Sequence, residues 1–136
     1  MGEPRYRVLI ADDDEAFRQV VCEVCAPFFD IIEARTGDEA VARLRRELPD
    51  LALCDLHMPG QNGLHVLETY KGLDLRRPGI LMTARSSLEL RDQLLRVGID
   101  TLLEKPFTRK ELLGAVGHAI ETAYREPDFG SRLLSM

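Results

Sequence analysis

The 136-residue chain has no tryptophan, only three cysteines, and aromatics at 6% of its residues. Three sparse cysteines, an odd number, argue against a disulfide-stapled secreted scaffold and for a reducing compartment. Lysine is scarce too, three against fifteen arginines, and no Lys/Arg-rich block interrupts a net charge of −5. That balance is poorly suited to gripping a nucleic-acid backbone, so no direct nucleic-acid binding is expected of this segment. Long apolar runs are missing as well. The stretch Val8 to Ala11 is too short for a signal-peptide core, and nothing approaches a membrane span. The expectation is a cytoplasmic chain with no membrane contact.

What is present suits one globular domain. With 45% hydrophobic residues, a chain of this length buries roughly two-thirds of its unfolded surface, enough for a core without metal or disulfide staples. Five short apolar runs punctuate it: Val8 to Ala11, Ile31-Ile32, Leu51 to Cys54, Ile80 to Met82 and Thr101 to Leu103. Most are continuous rather than alternating, as in parallel strands covered on both faces. Between them apolar residues recur every three or four positions. The sets are Phe17, Val20, Val21, Val24; Val41, Leu44, Leu48; Leu64, Leu67, Tyr70; Leu90, Leu94, Val97; and Leu113, Val116, Ile120, Ala123. Each set lines one face of a helix. Thr36/Glu39, Ser86/Glu89 and Thr108/Glu111 have capping-box spacing, and breakers fall at Pro49-Asp50, Pro59-Gly60, Pro78-Gly79 and Gly98. The pattern predicts five βα units, a doubly wound (βα)5 fold of the α/β class with helices on both faces of a parallel sheet. After about Arg125 periodicity is lost, which reads as a C-terminal tail or the start of a linker over 125–136.

Ligands of an open parallel sheet bind beyond the carboxyl ends of its strands. Here the first run ends in Asp12-Asp13-Asp14, the third in Asp55, the fourth in Thr83 and the fifth in Lys105. Carboxylates gathered at one edge repel one another unless a cation intervenes, and oxygen-only ligands in a partly solvated pocket suit Mg²⁺. Lys105 and Thr83 add a positive charge and a hydroxyl, groups suited to a phosphoryl group bound beside the metal. Cys22 and Cys25 form Cys-x-x-Cys, but inside a helix, where ordinary packing is expected. Cys54 is expected to pack under a helix, and His57, His65 and His118 are too dispersed for a histidine metal site.

ADDDE after the first run, DLALCDLHMPGQNG around Asp55, MTA at Thr83 and LLEKPF at Lys105 together resemble the receiver domain of two-component response regulators, over roughly residues 6 to 124. The resemblance implies a chemotaxis-protein-like, flavodoxin-like sheet of strand order 2-1-3-4-5, with 1–124 as the receiver domain. It implies that Asp55 accepts a phosphoryl group from a phosphohistidine on a sensor histidine kinase or phosphotransfer protein. Asp13 would ligate Mg²⁺ directly, Asp12 mostly through water, with Asp55 and the His57 backbone carbonyl completing the set. Lys105, across a cis Lys105-Pro106 bond, would pair with a phosphoryl oxygen, and Thr83 would turn inward to hydrogen-bond the phosphoryl group. Such a domain is a signalling switch that promotes only its own phosphotransfer and dephosphorylation, acting on a downstream partner or an attached output domain. A phosphorylation-dependent dimer is compatible with it. One departure matters: the family's switch aromatic, three residues before the lysine, is here Leu102.

Other classes compete. A haloacid-dehalogenase-type Mg²⁺-dependent phosphatase or phosphotransferase also uses an Asp nucleophile, but carries Asp-x-Asp at its first strand. A flavodoxin-like cofactor binder would need a Ser/Thr-rich phosphate loop where this chain has acids. A phosphorylation-dead pseudo-receiver would lack a core residue, and none is missing.

Overall fold

The computed structural model describes residues 5–99 and 101–136. Five parallel strands, β1 (Arg7–Ala11), β2 (Asp30–Ala34), β3 (Leu51–Asp55), β4 (Gly79–Thr83) and β5 (Thr101–Glu104), form one sheet of order β2-β1-β3-β4-β5. They alternate with α1 (Glu15–Cys25), α2 (Gly37–Glu47), α3 (Gly63–Leu73), α4 (Leu88–Arg96) and α5 (Arg109–Tyr124), and a sixth helix, α6 (Phe129–Leu134), follows. The expected (βα)5 fold and strand order are those found.

Because neighbouring strand residues face opposite ways, each continuous run feeds two cores. Val8, Ile10, Leu51, Leu53, Ile80 and Met82 pack with Val21, Cys25, Leu113, Val116 and Ile120 of α1 and α5. Leu9, Ala52, Cys54 and Leu81 pack with Leu44, Val66, Leu67, Tyr70, Leu90 and Leu94 of α2, α3 and α4. Full burial of each such aliphatic side chain contributes about 1.5–3 kcal/mol. Cys54 thus lies under helices, as its position in the strand predicts. Burial pushes the Cys22 and Cys25 thiols up to about 12, helped at Cys22 by the Glu33 carboxylate, so both stay protonated and serve as packing groups.

The helix starts follow the sequence in part. Thr36 accepts from Glu39 N at 3.1 Å, and Thr108 and Glu111 form a full reciprocal capping box with both bonds at 3.0 Å. For α4 the expected cap, Ser86, is displaced by one residue: Ser87 accepts from Leu90 N at 3.0 Å. Ser86 is occupied elsewhere, its hydroxyl and backbone N–H both donating to the Glu104 carboxylate. Asp14 caps α1 and Asn62 caps α3 through side-chain bonds to Phe17 N and His65 N.

The stretch after Arg125 is more ordered than its pattern suggests. Helix α6 folds back on α5, with Gly117 and Gly130 in backbone contact, such that a Cβ on Gly117 would come 2.8 Å from the Gly130 Cα. Phe129 sets its edge against Tyr6 at 5.6 Å, and Leu133 joins the α1/α5 core. Six residues are too few to display a helical period, which is why the signal was missing. Truncating a core leucine costs about 2–5 kcal/mol. Leu133→Ala should therefore lower the unfolding free energy by at least about 2 kcal/mol in urea titration; a loss within about 0.5 kcal/mol, as for surface substitutions, would mean that α6 only rests on the surface.

Candidate functional site

The parallel register brings four strand ends to one edge. Ala11 pairs with Ala34 and Cys54, Asp55 with Met82, and Thr83 with Glu104. Asp12, Asp55, Thr83 and Lys105 therefore emerge side by side. Asp12, Asp55 and Thr83 are 0%, 8% and 2% exposed, respectively, whereas Asp13 is open to solvent. Ligand-capable carboxylate oxygens of Asp12, Asp13 and Asp55 all lie within 4.8 Å of one another.

Two unit charges at that separation repel by about 3–4 kcal/mol at an effective dielectric near 20, so the cluster needs a counter-charge. Lys105 supplies one. Its ammonium sits 2.8 Å from Asp12 Oδ2 and 3.0 Å from Asp55 Oδ1. Burial raises the Asp55 carboxyl above the usual carboxylate range; the Lys105 hydrogen bond opposes the rise, while Asp12 adds to it. For Lys105, burial pulls the ammonium down, but bonds to Asp12 and Asp55 outweigh it and hold the group above its ordinary value. One ammonium against three carboxylates leaves the pocket with an excess of negative charge. Three oxygen donors this close, one of them solvent-exposed, could hold a metal ion, and carboxylate oxygens are the donor type that hard divalent cations take.

The scaffold around the pocket is specific. The Asp14 backbone N–H donates to Asp12 Oδ1 at 2.9 Å, so both oxygens of Asp12 are engaged. Beneath it the buried Arg18 guanidinium donates to the Asp12 carbonyl at 2.8 Å and to Glu33 Oε1 at 3.0 Å. The Gly63 N–H donates to the Leu56 carbonyl at 2.8 Å, and a Cβ there would lie 2.2 Å from the Asp55 carbonyl oxygen. Only glycine lets α3 start so close to the strand end. Lys105 N donates to the Thr83 carbonyl at 2.8 Å, and the Lys105-Pro106 bond is cis. The Lys105 ammonium also lies over the Phe17 ring, 4.1 Å from its centroid.

Thr83 stands at the pocket with its hydroxyl engaged by its own loop, donating to the Arg85 carbonyl at 3.0 Å and accepting from Arg85 N at 3.3 Å. His57 follows two residues after Asp55 on an exposed loop, with its side chain outside the carboxylate cluster. Leu102 is half-buried and borders a shallow cavity of about 110 Å³ with Arg91, Leu94, Leu95 and Ile99. Sequence reasoning gathered Asp12, Asp13, Asp55, Thr83 and Lys105 but passed over Arg18 and Phe17. Arg18 sits among the periodic apolar residues of α1, and a charged residue inside such a stripe was the available signal; Phe17 was indistinguishable from core.

The molecule is thus a doubly wound α/β domain with an acid cluster, a lysine and a hydroxyl at the carboxyl edge of its sheet. Residues 8–117 match the model of the response regulator receiver domain, and the chain belongs to that family. It is similar to the phosphate regulon transcriptional regulatory protein PhoB of Klebsiella pneumoniae, with 35% identity over 113 residues, 81% of this chain and 49% of that protein. It is also similar to the transcriptional regulatory protein CiaR of Streptococcus pneumoniae, 30% identical over 78% of this chain and 47% of that protein. Among solved structures, a CheY-like response regulator receiver domain protein from Methanospirillum hungatei JF-1 superposes with a TM-score of 0.84 at 27% identity, covering 89% of this chain and 98% of that one. The chain spans about half the length of the curated relatives it matches. The chain is a receiver domain of response regulators, which are signalling proteins; the haloacid-dehalogenase-type alternative finds no support in these likenesses. No helix among the described residues is long and apolar enough to cross a membrane.

The raised pKa of Asp55 has a consequence for stability. An acid whose folded pKa exceeds its unfolded pKa binds more protons when folded, so stability falls as pH rises through that window and stays reduced above it. Asp55→Asn should therefore raise the melting temperature of the metal-free protein at neutral pH, by roughly 3 °C if relief is on the order of 1 kcal/mol. The gain should shrink as pH drops below the folded-state pKa of Asp55. Equal melting curves for the two proteins in chelator across that range would show that Asp55 carries no electrostatic cost.

Proposed function

We propose that Asp55 is the phosphoacceptor of a two-component phosphotransfer, taking its phosphoryl group from a histidine kinase or phosphotransfer protein. The observation that carries this is a carboxylate at the end of β3, nearly buried among Asp12 and Asp13 and 3.0 Å from the one pocket lysine. An oxygen of Asp55 forms the new O–P bond as the P–N bond of the donor phosphohistidine breaks, and the bonding pair leaves with the imidazole nitrogen. Burial and neighbouring acids make Asp55 costly to ionise, so its negative charge is useful only beside cations.

Asp13, which is exposed, would hold Mg²⁺ directly, and Asp12, whose two oxygens are engaged by Asp14 N and Lys105, would act mainly through water. Asp55 and the His57 carbonyl would complete the set. Mg²⁺ supplies charge neutralisation between phosphoryl oxygens and the acidic pocket. Lys105 pairs with one phosphoryl oxygen. Thr83 bonds another, for which its hydroxyl must leave the Arg85 carbonyl. Hydrolysis of its own acyl phosphate returns the domain to rest.

The Thr83 movement draws on the β4–α4 loop, so the two phosphorylation states present different surfaces around α4, β5 and α5 to a partner or an attached output domain. The similar proteins are named transcriptional regulators, which makes a DNA-acting output the first to test. A cytoplasmic site of action fits the reduced cysteines and the histidine-kinase partner.

The test is labelling by a small acyl-phosphate donor with and without Mg²⁺, read by intact mass. One phosphoryl group per chain is expected, absent in Asp55→Asn and slowed by at least about 10-fold in Asp13→Asn and in Lys105→Ala, the scale for losing one electrostatic contact to the reacting group. Equal labelling of the parent and Asp55→Asn would overturn the assignment. Light scattering of the same samples shows whether labelling drives dimerisation.

A further inference from the structure

We propose that Phe17 is a positioning residue for the site lysine: its ring is the third partner of the Lys105 ammonium and aims that charge at the Asp55 carboxylate. The inference rests on the roles proposed above for Asp55 and Lys105.

A lysine ammonium has three N–H donors and no acceptor. Two are taken by Asp12 Oδ2 at 2.8 Å and Asp55 Oδ1 at 3.0 Å. The remaining direction is filled by the face of Phe17, with Nζ 4.1 Å from the ring centroid, well inside the range in which the ring quadrupole attracts a cation. The Lys105 side chain is only 19% exposed, so the contact is partly shielded from water, where such attraction is stronger.

The ring is itself held at both ends. Its backbone N–H donates to the capping Asp14 carboxylate at 3.1 Å, fixing it in the first turn of α1. It packs edge-to-face with Phe107, with centroids 5.4 Å apart and planes at 80°. Phe107 follows Lys105 by two residues, so Phe17 touches both the charged head of the lysine and the chain that carries it. An aromatic face also suits what the lysine has to do. On phosphorylation the ammonium must move from the Asp55 oxygen to a phosphoryl oxygen farther out; a third carboxylate would hold it back, whereas a ring face attracts without fixing one bond direction. An aliphatic residue would fill the same space and leave the third donor to water.

The experiment keeps shape constant and changes only ring electronics. Phe17 is replaced by site-specific incorporation of monofluoro-, difluoro- and trifluorophenylalanine, alongside Phe17→Tyr and Phe17→Leu. Labelling rates with a small acyl-phosphate donor and Mg²⁺ should fall stepwise with fluorination and by about fivefold in Phe17→Leu, with Phe17→Tyr close to the parent. In NMR spectra of the metal-free protein, the Lys105 ε-methylene protons should be shifted upfield by the ring, and that shift should vanish in Phe17→Leu. Rates that stay flat across the fluorinated series, or ε-protons with no upfield shift, would overturn the proposal. If the parent protein itself takes no label at Asp55, the phosphoacceptor reading fails, and the NMR shift still decides whether Phe17 holds the lysine.

Discussion

The pocket turns on one electrostatic imbalance: three carboxylates within 4.8 Å of one another and a single ammonium between two of them. At an effective dielectric near 20 each pair repels by about 3–4 kcal/mol, a cost that free side chains would relieve by turning away. Here two of the three, Asp12 and Asp55, cannot turn away. Asp12 is fixed by the Asp14 N–H and by Arg18 pulling on its carbonyl, and Asp55 is the last residue of a strand buried on both faces. The repulsion is retained in the folded state and offset elsewhere by the two apolar cores, as is common where a site is built for a charge that arrives later.

The sheet supplies the rigidity this requires. Parallel pairing sets β1, β3, β4 and β5 in a register that leaves no freedom in where their ends emerge, and the helices on each face hold the strands in place. Site residues on strand ends inherit that precision, whereas the segments that follow them are loops able to move. Asp12, Asp55 and Lys105 are held at this edge by bonds to one another, whereas the Thr83 hydroxyl is turned toward Arg85 of the loop that follows it.

Much of this was legible in the sequence because the signals were redundant. Each strand was marked by an apolar run and followed by a helical stripe, with breakers besides around β3, β4 and β5, so losing one signal would not have hidden the fold. The strand-end acids were legible for the same reason: parallel topology alone places Asp12 and Asp55 together. Where only one local signal existed, reading failed. Ser86 and Ser87 are adjacent hydroxyls, and the choice between them is made by Glu104, eighteen residues from Ser86 and visible only in space. Helix α6 is shorter than the window that reveals a period, and its docking depends on Gly117 and Gly130 meeting across a turn. Phe17 at a core-like position carries no sequence mark of the ammonium above it, because cation–aromatic contact is set by tertiary geometry.

The Ser86–Glu104 contact bears on how this chain can transmit a change without an aromatic at Leu102. Ser86 follows Thr83 by three residues, and Glu104 immediately precedes Lys105. The two loops that carry the hydroxyl and the ammonium are therefore joined by hydrogen bonds from Ser86 to one carboxylate. If Thr83 and Lys105 both approach a phosphoryl group, neither loop moves alone, since displacing one pulls on the other through that carboxylate. Leu102, aliphatic and beside a shallow cavity lined by α4 residues, offers neither a hydroxyl nor a ring edge to couple with Thr83. The polar tether therefore links the segment after the hydroxyl to the strand before the ammonium, in a chain whose aliphatic Leu102 cannot provide such a link itself.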